Sequence, residues 1–414
     1  MLMCMTLPHA PEANRYCGFP KAGTDKMLLR RRISAYIFLF VPGLVLASWI
    51  TRTPAIRDAL GASTAEMGLL LFGVSVGSMT GILSSAHLVR RLGTKTVITN
   101  GLSLLVLGVA LIALGGGLPS APLVFLGLML FGLGIGSAEV AINIEGAEVE
   151  RITRAPVLVE LHGFFSAGTL LGAIIGIGFT HFDVPLMPSL LAIAAICVPI
   201  LIWAIAGIAP GFGKEEKVAQ AEPVEAEPLW KDIRLLLIAG ILLAMALAEG
   251  SATDWLPLLM VDDFDLAESS GSLVFAGFAA TMTLGRFVGR FLLERYGRVA
   301  VLRGGALLAL FGVTVVIFTD NAVLAGISVL LWGLGVSLGF PVAIAAAADS
   351  GPDSVGRVGL VASAGYVAFL VGPPLLGFLG EHFGLRSAML VVLFALVAVA
   401  LLAPAARARP FKAD

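Results

Sequence analysis

The sequence predicts an all-α polytopic membrane protein, twelve transmembrane helices arranged as two six-helix lobes. Three observations predict it. Of 414 residues, 58% are hydrophobic and 13% charged, with a mean hydropathy of +0.97, whereas soluble domains carry about 25% charged residues. Apolar stretches of about twenty residues, long enough to cross a bilayer core as helix, recur throughout. No alternation of period two is sustained, so helices rather than a barrel satisfy the backbone in lipid. The second half also repeats the first. Leu130–Ile142 (LFGLGIGSAEVAI) matches Leu331–Ala343 (LWGLGVSLGFPVA) at an offset of 201 residues, and Gly81, Arg91 and Gly93 match Gly285, Arg295 and Gly297 at 204. Two nearly equal offsets imply a duplicated unit, an arrangement found in transporters.

In chain order, residues 1–32 hold Pro8, Pro11, Gly18, Pro20 and Gly23 without an apolar core, and read as a disordered cytoplasmic tail. Met27, followed by two leucines and Arg30, Arg31 and Arg32, is an alternative start. Lobe one, residues 33–208, holds apolar spans Ile33–Ile50, Thr64–Ala86, Val97–Leu114, Pro122–Ala147, Val157–Thr180 and Leu186–Ile208. Residues 209–232, rich in Ala, Glu, Pro and Lys, have the composition of a solvated linker. Lobe two, residues 233–404, holds Ile233–Asp254, Ser269–Leu292, Val299–Phe318, Ala322–Ala348, Val358–Gly380 and Ser387–Ala403, before a tail over 405–414. With the amino terminus inside, one side collects all but Arg52, Arg57 and Arg386 of the 27 lysines and arginines. The positive-inside rule then places both termini in the cytoplasm, and the inner, or plasma, membrane is the expected location.

Several function classes are disfavoured. A net charge of -1 gives no footprint for nucleic acid. Cys4, Cys17 and Cys197 have no metal-like or disulfide-framework spacing, and no cofactor is expected. Neither a His-x-x-x-His nor a Gly-x-Ser-x-Gly pattern suggests an enzyme.

Ionisable groups deep in hydrocarbon cost roughly 2.5–3.5 kcal/mol each and are functional candidates. Glu139 and Asn143 stand four apart on one face of span four. Counting back across the turn near Thr153 brings His162 of span five beside Asn143. The expectation is that Glu139 is a proton-coupling carboxylate with His162 as its partner and Asn143 as a solute ligand. The alternative is interhelical hydrogen bonding by His162 and Asn143. Glu145, Glu148 and Glu150 approach the loop arginines Arg151 and Arg154 and are expected to pair there. In span seven two roles are open to Glu249: a second solute or proton site, or an outer-gate partner of Arg52, with Asp254 following at the boundary. Trp49 and Trp332 are further solute-lining candidates, although Trp49 and Trp255 equally suit an interface belt. Arg286 and Arg290 are expected to pair with Glu294 or reach lipid phosphate. Gly333, Gly335 and Gly339 beside Pro341 are candidate bending positions in span ten.

The chain resembles the major facilitator superfamily over roughly residues 33–404. Its second lobe keeps the loop pattern of that superfamily in Gly289, Glu294, Arg295, Gly297 and Arg298. The resemblance implies gating roles for Arg91, Glu294 and Arg295. The first lobe departs from the pattern, with Arg90 at the place of the acid and Ser85 at that of the first glycine. More narrowly, Glu139, Asn143, His162, Gly163, Phe165, Ser166, Glu249, Gly250, Asp254 and Trp255 are similar to the MosC-like branch. The resemblance implies a monomeric secondary transporter of a small, sugar- or cyclitol-like solute, working by alternating access with protons as coupling ion. An exporter of amphipathic metabolites or drugs is the alternative. GPPLLG falls in span eleven rather than span five, which disfavours a drug/proton antiporter.

Overall fold

A computed structural model describes residues 22–153, 157–213, 229–351 and 354–407. Residues 1–21 of the expected tail, 214–228 of the linker, 408–414 and Arg154 lie outside the described residues. Lobe one comprises α1 (Ala22–Ile50), α2 (Thr53–Leu60), α3 (Thr64–Leu92), α4 (Thr94–Gly117), α5 (Ala121–Thr153), α6 (Val157–His181) and α7 (Leu186–Ile205). Lobe two comprises α8 (Ile233–Asp262), α9 (Glu268–Phe318), α10 (Ala322–Val336), α11 (Gly339–Ala348), α12 (Ser354–Phe383), α13 (Leu385–Ala388) and α14 (Leu390–Leu402). Eleven helical stretches among the described residues are long and apolar enough to cross a membrane. One of them, α9, runs for 51 residues and breaks at Gly297, so it supplies two crossings and completes the expected twelve.

The joint at Gly297 has φ 75° and ψ 167°, and its repeat mate Gly93, between α3 and α4, has φ 84° and ψ 160°. A side chain disfavours that backbone region, so both lobes spend a glycine where the chain reverses. This pair confirms the 204-residue register in three dimensions. Elsewhere in lobe one, missing side chains allow helices to touch. A Cβ on Gly77 of α3 would lie 2.0 Å from the Met129 carbonyl of α5, and one on Gly132 would lie 2.1 Å from that of Val74.

Three boundaries differ from expectation. The first helix starts at Ala22 rather than Ile33, so residues 22–32 are helical, not a disordered tail. The eight-residue α2, with Pro54 in its first turn and Gly61 (φ 60°) as its left-handed cap, falls in a stretch too short and polar to register as a span. The chain beyond 404 stays packed through Ala406, and Arg234 donates to the carbonyls of Ala405 and Arg407.

The lobes face each other through α3 against α12 and α6 against α9. They are bonded at the end opposite the termini, here called distal. Arg57 of α2 pairs with Asp262 of α8, and Ser272 Oγ donates to the Thr51 carbonyl at 3.0 Å. The backbone N–H of Ala65, in the first turn of α3, donates to Glu381 of α12 at 3.1 Å. Nearer mid-depth, Ser75 Oγ donates to the Phe369 carbonyl at 2.6 Å.

Candidate functional site

Between α1 and α6 of one lobe and α8 and α9 of the other lies a cleft of about 70 Å³. Its charged groups are Glu249 and Arg286, whose Nη2 donates to Glu249 Oε1 at 3.0 Å. Ser166 and Thr169 of α6, Thr253 of α8 and Thr283 of α9 add hydroxyls, while Phe165 and Phe278 supply apolar wall. The pairing of Glu249 with Arg286 corrects two expected pairings, Glu249 with Arg52 and Arg286 with Glu294. Antiparallel neighbours α8 and α9 bring the two side chains to one level, so Glu249 does not reach Arg52 and Arg286 does not reach Glu294. Arg52 is instead buried, with Nη2 on the Val184 carbonyl at 2.9 Å and Glu268 within electrostatic reach.

His162, exposed on α6, lies within electrostatic reach of Arg286, one helical turn before Ser166, whose hydroxyl donates to the His162 carbonyl. Glu139 is half-buried on α5 and lies within electrostatic reach of Tyr366 on α12. No hydrogen bond or ion pair joins Glu139 to His162 among the described residues, so their expected partnership is not formed. The reason is packing: α5 lies chiefly against α3 and α4 and α6 chiefly against α1 and α9, while α5 meets α6 towards its carboxyl-terminal end, where Gly146 faces Leu158 and Leu161. Asn143 is half-buried beside Glu139 on the same helix. Asp254 is half-buried and makes no ion pair among the described residues. The ion pair that ties the lobes distally is Arg57 with Asp262.

Other expectations are also corrected. Trp49 and Trp332 are about 1% exposed and face neither cleft nor lipid. Trp49 meets Phe131 edge-on at 5.9 Å, and Trp332 meets Phe278 at 6.0 Å while donating its indole N–H to the Ala248 carbonyl at 3.2 Å. Trp255 is fully buried rather than in an interface belt. Of the gating set, Arg91 is exposed at the end of α3, Glu294 pairs with Arg290 along its own helix, and Arg295 lies over the Tyr296 ring.

Glu145 departs most from expectation. It is completely buried, taking a 2.5 Å bond from Arg31 Nε of α1 and a 3.1 Å bond from Thr94 Oγ1 of α4. Arg151, in the last turn of α5, pairs with Glu148 instead. The signal that was available is the Arg30–Arg31–Arg32 run, which lies within α1: Arg32 likewise pairs with Glu160 of α6 at 2.6 Å.

A paired bundle of membrane-crossing helices with a charged cleft at the lobe interface defines a solute carrier architecture. The comparisons agree: the sequence matches the Major Facilitator Superfamily over residues 53–359 and 255–413. The chain belongs to that superfamily and is a transporter, not an enzyme. It is 28% identical over 385 residues to an uncharacterized MFS-type transporter of Yersinia pestis, covering 92% of this chain and 96% of the relative. It is 27% identical over 383 residues to the membrane protein MosC of Rhizobium meliloti, covering 89% and 88%. Among solved structures, a bacterial homologue of the human lysosomal transporter Spinster, inward-facing and unoccupied, superposes with a TM-score of 0.73 at 14% identity, covering 94% of this chain and 99% of the other. The E. coli fucose:proton symporter FucP superposes at 0.61 and 17% identity, covering 91% and 98%. These similarities establish the fold.

Proposed function

We propose that the protein moves a small polar solute, sugar- or cyclitol-like, across the inner membrane by alternating access, coupled to protons and working as a monomer with both termini cytoplasmic. The observation that carries this reading is the cleft itself, a Glu249–Arg286 pair and four hydroxyls set between apolar walls where the two lobes meet. Such groups replace the hydration of a polar solute, and a purely amphipathic cargo would leave the charge pair unused. The distal contacts of Arg57 with Asp262 and of Ala65 with Glu381 act as the gate closed on that side, and their rupture accompanies the opposite state. Glu139 is the proton carrier, because it is a membrane-embedded carboxylate with no ion pair among the described residues, facing Tyr366 of the opposite lobe. A carboxylate locked to an arginine, like Glu145, would hold its proton state throughout. Asn143 is a solute or relay ligand next to it. The fold shared with a fucose:proton symporter is consistent with this coupling.

The test is a panel of sugars, cyclitols and amphipathic compounds on proteoliposomes with an imposed pH gradient, recording uptake and internal pH together. Uptake of a polyol with matching proton movement is expected. Solute movement without proton movement contradicts the coupling, and transport of amphipathic compounds alone contradicts the solute class.

A further inference from the structure

We infer that the cleft selects neutral or cationic solutes rich in hydrogen-bond donors and rejects anionic ones, and that Glu249 is the residue that enforces the choice. This rests on the reading of the cleft as the solute site. The argument is a count of donors and acceptors. Each hydroxyl in the cleft commits its own proton to the helix that carries it. Ser166 donates to the His162 carbonyl at 3.2 Å, Thr169 to Phe165 at 3.0 Å, Thr253 to Glu249 at 3.0 Å and Thr283 to Ala279 at 2.7 Å. A hydroxyl has one proton and two lone pairs, so each turns acceptor capacity towards the cleft.

Glu249 adds to that excess. Its Oε1 takes the Arg286 bond, and no second hydrogen bond reaches the carboxylate among the described residues, so Oε2 is available to a solute O–H or N–H. Arg286 is the cleft's cationic donor, and its charge is already matched by Glu249. A solute carboxylate or phosphate entering here meets acceptors on α6, α8 and α9 and must displace Glu249 to gain Arg286, leaving one carboxylate buried without a partner. A polyol meets the same wall with its O–H groups and keeps the ion pair intact. An ammonium group placed beside Glu249 Oε2 is also accommodated. Specificity therefore comes from a repulsive element, the carboxylate, as much as from the attractive hydroxyl ring.

The account makes Glu249→Gln a selectivity switch. With the carboxylate gone, Arg286 lacks its partner and becomes a receptor for an anion. The test measures shifts of thermal unfolding midpoint for the purified full-length protein in detergent, titrated with myo-inositol, glucosamine and glucuronate. Wild type is expected to respond to myo-inositol and glucosamine at lower concentrations than to glucuronate. In Glu249→Gln the glucuronate-to-inositol affinity ratio is expected to rise by about tenfold or more, the scale of one charge-assisted hydrogen bond. Glu249→Asp, which keeps the charge, retains the rejection, and Thr253→Val weakens inositol binding without admitting glucuronate. These variants separate selectivity from folding, since each is read against its own unliganded midpoint. Preference of wild type for glucuronate, or an unchanged ratio in folded Glu249→Gln, overturns the inference while leaving a polar-solute carrier in place. A wild type that responds to none of the three overturns both.

Discussion

The two lobes share a scaffold and differ in where they put charge. Both reverse the chain at a glycine with positive φ, Gly93 and Gly297, and both pin the end of their fourth crossing with an acid near those joints. In lobe one the acid is Glu145, sealed between Arg31 and Thr94 with no exposed surface. The corresponding acid of lobe two is Asp349, three residues beyond the place that the 201-residue register of this crossing gives Glu145, with a side chain 55% exposed, taking a 2.5 Å bond from Arg298. Lobe one then adds Glu139 to the middle of that helix, where lobe two has Phe340. The helices differ as well: α5 runs unbroken from Ala121 to Thr153, whereas its partner divides into α10 and α11 at Ser337 and Leu338. Pro341 accounts for the division, because it cannot donate to the carbonyl of Ser337 four residues back. The duplicated unit thus conserves its joints, which set topology, and varies its membrane-embedded polar groups, which set chemistry.

The sharpest way to break the comparison is to remove both pins. Glu145→Ala leaves the half-buried Arg31, which also lies over the Phe212 ring, without its carboxylate, and is expected to cost about 3–5 kcal/mol, the penalty for breaking a buried pair from one side. Asp349→Ala, at a solvated pair, is expected to cost about 0–1 kcal/mol. Thermal unfolding in detergent checks both, and equal losses would refute the asymmetry. Next come the joints. Gly93→Ala and Gly297→Ala should each cost about 1–3 kcal/mol for a strained backbone. Gly93 should be the worse, since its new Cβ would sit 3.1 Å from the Phe212 carbonyl while Gly297 has open space. The smallest effect is expected at the distal contact between lobes. Arg57→Asp should raise maleimide labelling of Ser272→Cys by no more than about fivefold, and adding Asp262→Arg should restore protection.

How much of this was readable in the chain depends on what lipid hides. Span limits such as Thr64, Val157, Leu186 and Ile233 coincide with helix starts, because hydropathy reports length directly. The 204-residue register was readable from Gly81, Arg91 and Gly93. Partner choice was not. In a membrane helix both the buried and the lipid-facing sides are apolar, so periodicity does not reveal which neighbour a polar residue meets. Arg31 and Glu145 stand 114 residues apart and Arg286 and Glu249 stand 37 apart, and only packing decides those pairs. The same blindness put Trp255 in an interface belt when it is core, and joined Glu139 to His162 although their helices pack chiefly on other neighbours.

The central claim is that Glu139, the acid with no equivalent in lobe two, couples solute movement to protons. Its most direct test is Glu139→Gln in proteoliposomes, comparing pH-gradient-driven accumulation with solute exchange in the absence of a gradient. The account predicts that accumulation is lost and exchange persists, while Phe340→Leu leaves both intact. Full gradient-driven accumulation by Glu139→Gln would contradict it.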